Sequence, residues 1–278
     1  MRIRRFLLGG HERWGIDDGA AIRVTDGLPD RRDAAGSRGA ILSEGEREAV
    51  RLLPPLDPTS KVLCVGHNYR AHIRELGREE PTHPVIFPRF PDSLVADGEP
   101  MIAPRASSQF DYEGELAVVI GTPGRDIGRD AALDHVLGYT LLNDGSVRDF
   151  QRHSPQFTPG KNFPRSGALG PSITVPDDPR EPFDAMLRTT LNGEVVQESS
   201  VADLLFDIPE LIAYCSQWTT LRPGDVIATG TPGGVGAAAT PPRWLVPGDV
   251  VSISLDNLEP LTNPIAAEFR PGEDDHDR

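Results

Sequence analysis

At 278 residues and a formal net charge of −14, the chain can bury a sizeable core and is too acidic for general affinity to nucleic acid or anionic membrane. It is 38% hydrophobic and 25% charged, ordinary for a globular protein, and no apolar run approaches the ~18 residues of a membrane span. Cys64 and Cys215 lack zinc-pair spacing and make a poor staple for a chain this long, so both are expected as buried, reduced thiols.

The opening Met1 to Leu8 imitates the charged start of a signal peptide. Its apolar part stops at Gly9-Gly10, too short for export, so it reads as the first strand of a cytoplasmic protein. Residues 1–57 are expected to form a small N-terminal domain. It would hold strands at Ile3–Leu8 and Ala21–Val24 about the turn Asp17-Asp18-Gly19, and a short helix over Glu44–Leu53. Pro54-Pro55 and Asp57-Pro58 then mark a boundary.

The main domain, residues 58–266, opens with a strand at Lys61–Val65. A helical segment over Asn68–Gly77 follows, with Tyr69, Ile73 and Leu76 at helical spacing. Pro84–Phe87 and Met101–Ala103 read as short strands. Asp111 to Gly121 is a longer one, because Val118-Val119-Ile120 is a β-branched run ending at glycine. A short crossover helix at Ala131–Val136 leads to a strand ending at Asp144. Asn192-Gly193 between two polar-apolar runs is a type I′ hairpin signal. Val201–Trp218 reads as two helical pieces broken at Pro209, with strands at Asp225–Thr229 and Val250–Leu255 beyond it. Residues 267–278 are expected to be an acidic, disordered tail. Strands outnumber helices and are linked mainly by turns, so the fold class is α+β and β-rich.

Glu113 and Glu115 are two apart on a strand and project from one face. Two neighbouring carboxylates repel unless a cation sits between them or one keeps its proton; otherwise the pair belongs on a solvated edge. Asp144, ending a second strand, adds a third carboxylate, a set that suits a hard divalent cation, Mg²⁺ or Mn²⁺. His72 and Glu75, three apart, share a helical face; the glutamate can raise the imidazole's basicity, or the two are a surface pair. A zinc site from His67, His72 and His83 is disfavoured, since no cysteine joins them and the first two do not share a helix face. Arg148, Gln151 and Lys161 follow Asp144 and could hold an anion or orient a ligand; Arg148 could equally pair with Asp149. The loop Thr229–Gly236 has neither a phosphate-binding nor a dinucleotide fingerprint, but it can bring backbone N–H groups to a carboxylate.

Six blocks in order carry a resemblance: G-H-N-Y-R-A-H-I-R-E, D-Y-E-G-E-L-A-V-V-I-G, G-Y-T-L-L-N-D-G-S-V-R-D-F-Q, G-K-N-F, L-N-G-E-V-V-Q and L-R-P-G-D-V-I-A-T-G-T-P-G-G-V-G. Over residues 61–266 the chain resembles the fumarylacetoacetate hydrolase family. The resemblance implies a mixed β-sandwich roll, a homodimer, and Mg²⁺ or Mn²⁺ held by Glu113, Glu115 and Asp144. It also implies a His72–Glu75 dyad on a lid, catalytic Lys161, and substrate contacts from Arg148, Gln151, Thr231 and Arg89. The chain departs from the family pattern at Arg89, where lysine is common, at Gly145, where valine is usual, at Pro164 and at Glu259.

The chemistry this implies starts from a small 2-oxo acid. The reading placed first is hydrolysis of a C–C bond in an acylpyruvate-like acid, with the dyad activating water. Decarboxylation, hydration or keto–enol isomerisation of an oxaloacetate- or hydroxymuconate-type acid is the alternative, since all share one enolate. A metal-binding homologue without turnover stands as the remote third.

Overall fold

A computed structural model describes residues 1–30, 39–75, 77 and 79–269. Leu76 of the expected helical segment and residues 270–278 of the expected tail lie outside the described residues. The chain opens as an antiparallel meander, β1 (Arg2–Leu8), β2 (His11–Asp17) and β3 (Ile22–Thr25). Helix α1 (Glu44–Glu48) starts from a capping box between Ser43 and Glu46. It stops well short of the expected Leu53, because β4 (Arg51–Leu53) returns to pair with β1.

Next come β5 (Val62–Gly66), α2 (Arg70–Glu75), β6 (Val85–Arg89), β7 (Leu94–Val95), β8 (Met101–Ala103) and β9 (Phe110–Asp111). The glutamate strand is β10 (Gly114–Ile120), followed by β11 (Val136–Asn143) and β12 (Ser146–Val147). The segment between β10 and β11 is a 3-10 turn over Arg129–His135 rather than the expected α-helix, since Val136 already belongs to β11. Two short helices, α3 (Arg148–Gln151) and α4 (Thr158–Lys161), precede β13 (Gly167–Thr174). β14 (Met186–Leu191) and β15 (Glu194–Ser200) make the expected hairpin, with φ of 54° at Asn192 and 83° at Gly193, as a type I′ turn requires. Helix α5 (Ile208–Trp218) is unbroken: Asp207 caps it and Pro209 lies in its first turn, where no N–H is needed, so the expected break becomes a start. β16 (Val226–Ala228), β17 (Val250–Leu255) and β18 (Leu261–Ala267) complete the chain.

Two sheets pack against each other in a β-rich α+β sandwich. The larger has 11 strands, nine in the order β3-β2-β1-β13-β11-β10-β16-β5-β6 with β4 paired to β1 and β7 to β13, while β15-β14-β17-β18-β8 form the second; β9 and β12 make a separate two-stranded sheet. Residues 1–57 therefore add strands to the main sheet through the β1–β13 pairing. Side-chain alternation along β10 serves both faces. Leu116, Val118 and Ile120 join the core that includes Leu187, Val251 and Ile253 of the second sheet. Ala117 and Val119 join the opposite core with Ile3, Val62 and Val226. The glutamate strand is thus central and covered on both sides, not a solvated edge. Gly114 is what lets the sheets close there, because a Cβ at this position would lie 2.1 Å from Thr189 Oγ1 of β14.

Both cysteines are buried and unpaired, as expected. No helix among the described residues is long and apolar enough to cross a membrane.

The departure at Glu259, between β17 and β18, has a structural use. Its carboxylate accepts from Arg2 Nη1 (2.9 Å), Arg4 Nη2 (2.7 Å) and Ser172 Oγ (2.6 Å), joining the second sheet to β1 and β13. With its side chain only 26% exposed, Glu259→Ala is expected to destabilise the fold by about 1–2 kcal/mol. Urea denaturation checks this as a lowered midpoint at unchanged slope.

Candidate active site

Strand pairing places the acids. Glu115 lies on β10; Glu113 immediately precedes that strand and Asp144 immediately follows β11. Asp144 N–H donates to Glu113 O (2.8 Å) and Glu113 N–H to Asn143 Oδ1 (3.1 Å), which fixes the two carboxylates side by side. Ligand atoms of Glu113, Glu115 and Asp144 all lie within 4.8 Å of one another, and all three side chains are buried. No histidine grouping of this kind occurs among the described residues, so the zinc alternative has no site.

Three cations surround the acids. Lys161 Nζ lies between Glu113 Oε2 (2.6 Å) and Asp144 Oδ2 (2.5 Å). Arg148 pairs with Glu113 Oε1 (2.6 Å), Asp111 Oδ2 (2.8 Å) and Gln151 Oε1 (3.0 Å), not with Asp149. Arg89 donates to Asp144 Oδ1 (2.7 Å), Gly145 O (2.9 Å), Ser166 Oγ (2.9 Å) and Ser93 Oγ (3.2 Å). The departures at Arg89 and Gly145 belong together. The guanidinium reaches the Gly145 carbonyl and Ser166, and any Cβ at 145 would sit 1.9 Å from Ser166 O.

Glu115 is different: among the described residues its carboxylate accepts a hydrogen bond from Gly230 N–H (3.0 Å) alone. Burial, with the charges of Asp144 and Glu113 next to it, pushes its carboxyl well above the usual range. Glu113 is also buried, but Lys161 and Arg148 outweigh that and hold it ionised. Burial opposes the Lys161 charge too, and Asp144 and Glu113 outweigh it. A buried carboxylate flanked by two anions and served by one N–H lacks the positive charge that a divalent cation would supply. The donor set, three carboxylate groups in one small volume, fits such an ion.

His72 on α2 is buried, and its Nδ1 lies 3.1 Å from Glu75 Oε2. Gly234 N–H donates to Glu75 Oε1 (3.0 Å). Although burial raises the Glu75 pKa, the bonds from His72 and Gly234 outweigh it and hold the carboxylate below its ordinary value. An ionised Glu75 sets the proton on Nδ1 and leaves the lone pair on Nε2. The glycine-rich loop acts as its sequence allowed, since Gly230, Gly234 and Gly236 present N–H groups to Glu115, Glu75 and Asp111.

His72, Glu113, Glu115, Arg148, Gln151, Lys161 and Thr231 line one cavity of about 670 Å³. Glu75 stands behind His72, and Asp144 behind Lys161. Arg89 was expected to touch substrate; it is 1% exposed, off the cavity wall, with its guanidinium turned to Asp144. Thr231 reaches the wall, but its hydroxyl donates to Gly114 O (3.0 Å) and accepts from Gln197 Nε2 (2.8 Å), so it steadies the glutamate strand. Asp111 and Gln197 were not singled out from sequence. Asp111 anchors Arg148 and the 236–237 backbone, while Gln197 Oε1 accepts from Gly114 N–H (3.0 Å). The D-Y-E-G-E block contains the first and the L-N-G-E-V-V-Q block ends on the second, but neither block says what these side chains bind.

A family model described as Fumarylacetoacetate (FAA) hydrolase C-terminal matches residues 61–266. The chain is 41% identical over 237 residues to oxaloacetate tautomerase YisK of Bacillus subtilis, covering 84% of this chain and 77% of that protein. Among solved structures it is similar to the 5-carboxymethyl-2-hydroxymuconate delta-isomerase from Mycobacterium smegmatis, at 35% identity and a TM-score of 0.79, covering 97% of this chain and all (100%) of that one. A fumarylacetoacetate hydrolase from psychrophilic Exiguobacterium antarcticum is 35% identical with a TM-score of 0.81, covering 96% of this chain and 100% of that one.

Proposed function

The chain belongs to the fumarylacetoacetate hydrolase family, and from that premise we propose that it is a divalent-metal-dependent keto–enol tautomerase of a small 2-oxo acid, oxaloacetate first. C–C hydrolysis, ranked first from sequence, gives way here to the alternative. The observation that carries the reading is a single base, His72 backed by Glu75, on the wall of the cavity that holds the acid cluster. Tautomerisation moves one proton between C3 and the 2-oxo oxygen and consumes no water, so one base suffices. The 41% identity to an oxaloacetate tautomerase supports the same choice.

Glu113, Glu115 and Asp144 would hold Mg²⁺ or Mn²⁺, which when bound would polarise the 2-oxo group and acidify the neighbouring C–H. His72 Nε2 takes the proton from C3. Glu75 stabilises the imidazolium that results and keeps Nδ1 turned away from the substrate. The same imidazolium returns the proton to the 2-oxo oxygen. Lys161 neutralises Glu113 and Asp144, Arg89 holds Asp144 in place, and Arg148 with Gln151 forms the adjoining wall. The family homodimer and the cytoplasmic location form part of the same proposal.

A second reading, isomerisation of a longer hydroxymuconate-type acid, is favoured by the cavity. Its volume of about 670 Å³ suits a larger ligand than a four-carbon acid. The proton shift is the same, so the dyad serves either.

The test follows the loss of enol-oxaloacetate absorbance with Mg²⁺ or Mn²⁺, with pyruvate assayed in parallel. Enol loss is expected to accelerate with enzyme while pyruvate stays at background, and chelation by EDTA to remove the acceleration. Pyruvate released as fast as the enol disappears, or faster cleavage of an acylpyruvate, would restore decarboxylation or hydrolysis.

A further inference from the structure

Oxaloacetate is a dianion; in the reading just proposed, on which this inference rests, the 2-oxo group and C3 face the acid cluster and His72, and the carboxylate beyond C3 is left to find a partner elsewhere on the cavity wall. The cations beside that cluster are already paired: Arg89 with Asp144, Lys161 with Glu113 and Asp144, Arg148 with Asp111 and Glu113. Arg152 also lines the cavity, and among the described residues its guanidinium has no ion pair or hydrogen bond.

Its position is set by the backbone. Arg152 N–H donates to Arg148 O (3.2 Å), and Arg152 keeps helical φ and ψ of −92° and −2°, so the turn of α3 continues through it. Residues four apart share a helical face with Cβ atoms about 5–6 Å apart. Arg152 is exposed at the rim of the cavity, whereas Arg148, one turn earlier, carries the sign of a missing partner: its Nη2 is buried and among the described residues has no hydrogen-bond acceptor. His153, beside Arg152, lies on the same wall and packs on Phe150 at 4.7 Å between ring centroids.

We infer that Arg152, with His153 next to it, forms a subsite for the distal carboxylate of the substrate, so that the cavity selects 2-oxo dicarboxylates over 2-oxo monocarboxylates. Arginine suits this role because its planar fork takes a carboxylate through two N–H groups, which a lysine cannot copy.

The experiment compares oxaloacetate with its distal methyl ester in wild type, Arg152→Ala and Arg152→Lys. Arg152→Ala is expected to raise KM for oxaloacetate about ten-fold, with Arg152→Lys in between, while KM for the ester does not follow. Calorimetry on the Mn²⁺-loaded protein reads the subsite without turnover. Arg152→Ala should weaken difluoro-oxaloacetate about ten-fold and leave oxalate, which has no distal group beyond the metal-binding half, unchanged. An unchanged KM and affinity for both diacids, or equal loss for diacid and control, overturns the subsite. If wild type does not tautomerise oxaloacetate yet the calorimetric difference appears, the subsite stands and the reaction assignment falls. Tautomerisation without that difference gives the reverse.

Discussion

Glu115→Gln is expected to abolish turnover by removing the divalent ion while leaving the fold intact. Glu113 and Asp144 each have cationic partners, whereas Glu115 is 1% exposed and among the described residues its carboxylate has only the Gly230 N–H. Its charge is the one that a bound cation must satisfy. Loss of an outer partner of a metal site costs ~10–100-fold in affinity, and loss of a charged ligand should exceed that. Calorimetric titration with Mn²⁺ checks it, and wild-type affinity in the variant would move the metal elsewhere.

The same residue makes a pH signature. In the folded protein without metal, burial and the neighbouring charges of Asp144 and Glu113 raise the Glu115 pKa well above its ordinary 4.5. Between the unfolded and folded values the native state holds a proton that the unfolded chain has lost. The Glu115 contribution to stability is therefore complete below about 4.5 and declines as pH rises toward the folded value. Thermal unfolding in EDTA should show wild type losing stability over that window and Glu115→Gln losing less. Metal affinity should run the other way in wild type, rising with pH as the ion displaces the proton.

His72→Ala is expected to lower kcat by ~10²–10⁴ and leave Mn²⁺ affinity unchanged. Its Nδ1 is engaged by Glu75 at 3.1 Å, and it is no member of the acid group. Glu75→Gln should cost less, because it removes the orienting charge and keeps the base. A parallel loss of metal binding in His72→Ala would make the histidine a ligand instead of a base.

The acids could be read from the chain because each signal was local. The spacing of Glu113 and Glu115 follows from strand periodicity, and the helical spacing of His72 and Glu75 from one turn of α2. The Asn192-Gly193 hairpin rests on φ values that few residues adopt. What could not be read depends on distant partners. β2 begins His11-Glu12-Arg13, and β13 contains Gly167, Gly170 and Pro171; neither has strand propensity, and pairing with β1 and β11 makes them strands. Arg89 is 55 positions from Asp144, and a long cation's partner is invisible in a single sequence, so its place behind the acid and off the cavity wall emerged only from the fold. Pro209 was ambiguous for a physical reason: proline both breaks helices and opens them, and the Asp207 cap decides which.

The most direct test of the metal site is anomalous diffraction from crystals grown with Mn²⁺. A single strong peak bounded by the carboxylates of Glu113, Glu115 and Asp144 and open toward the cavity below His72 is the expected result. A cavity with no peak, or manganese bound away from all three acids in an enzyme that still tautomerises oxaloacetate, would contradict it.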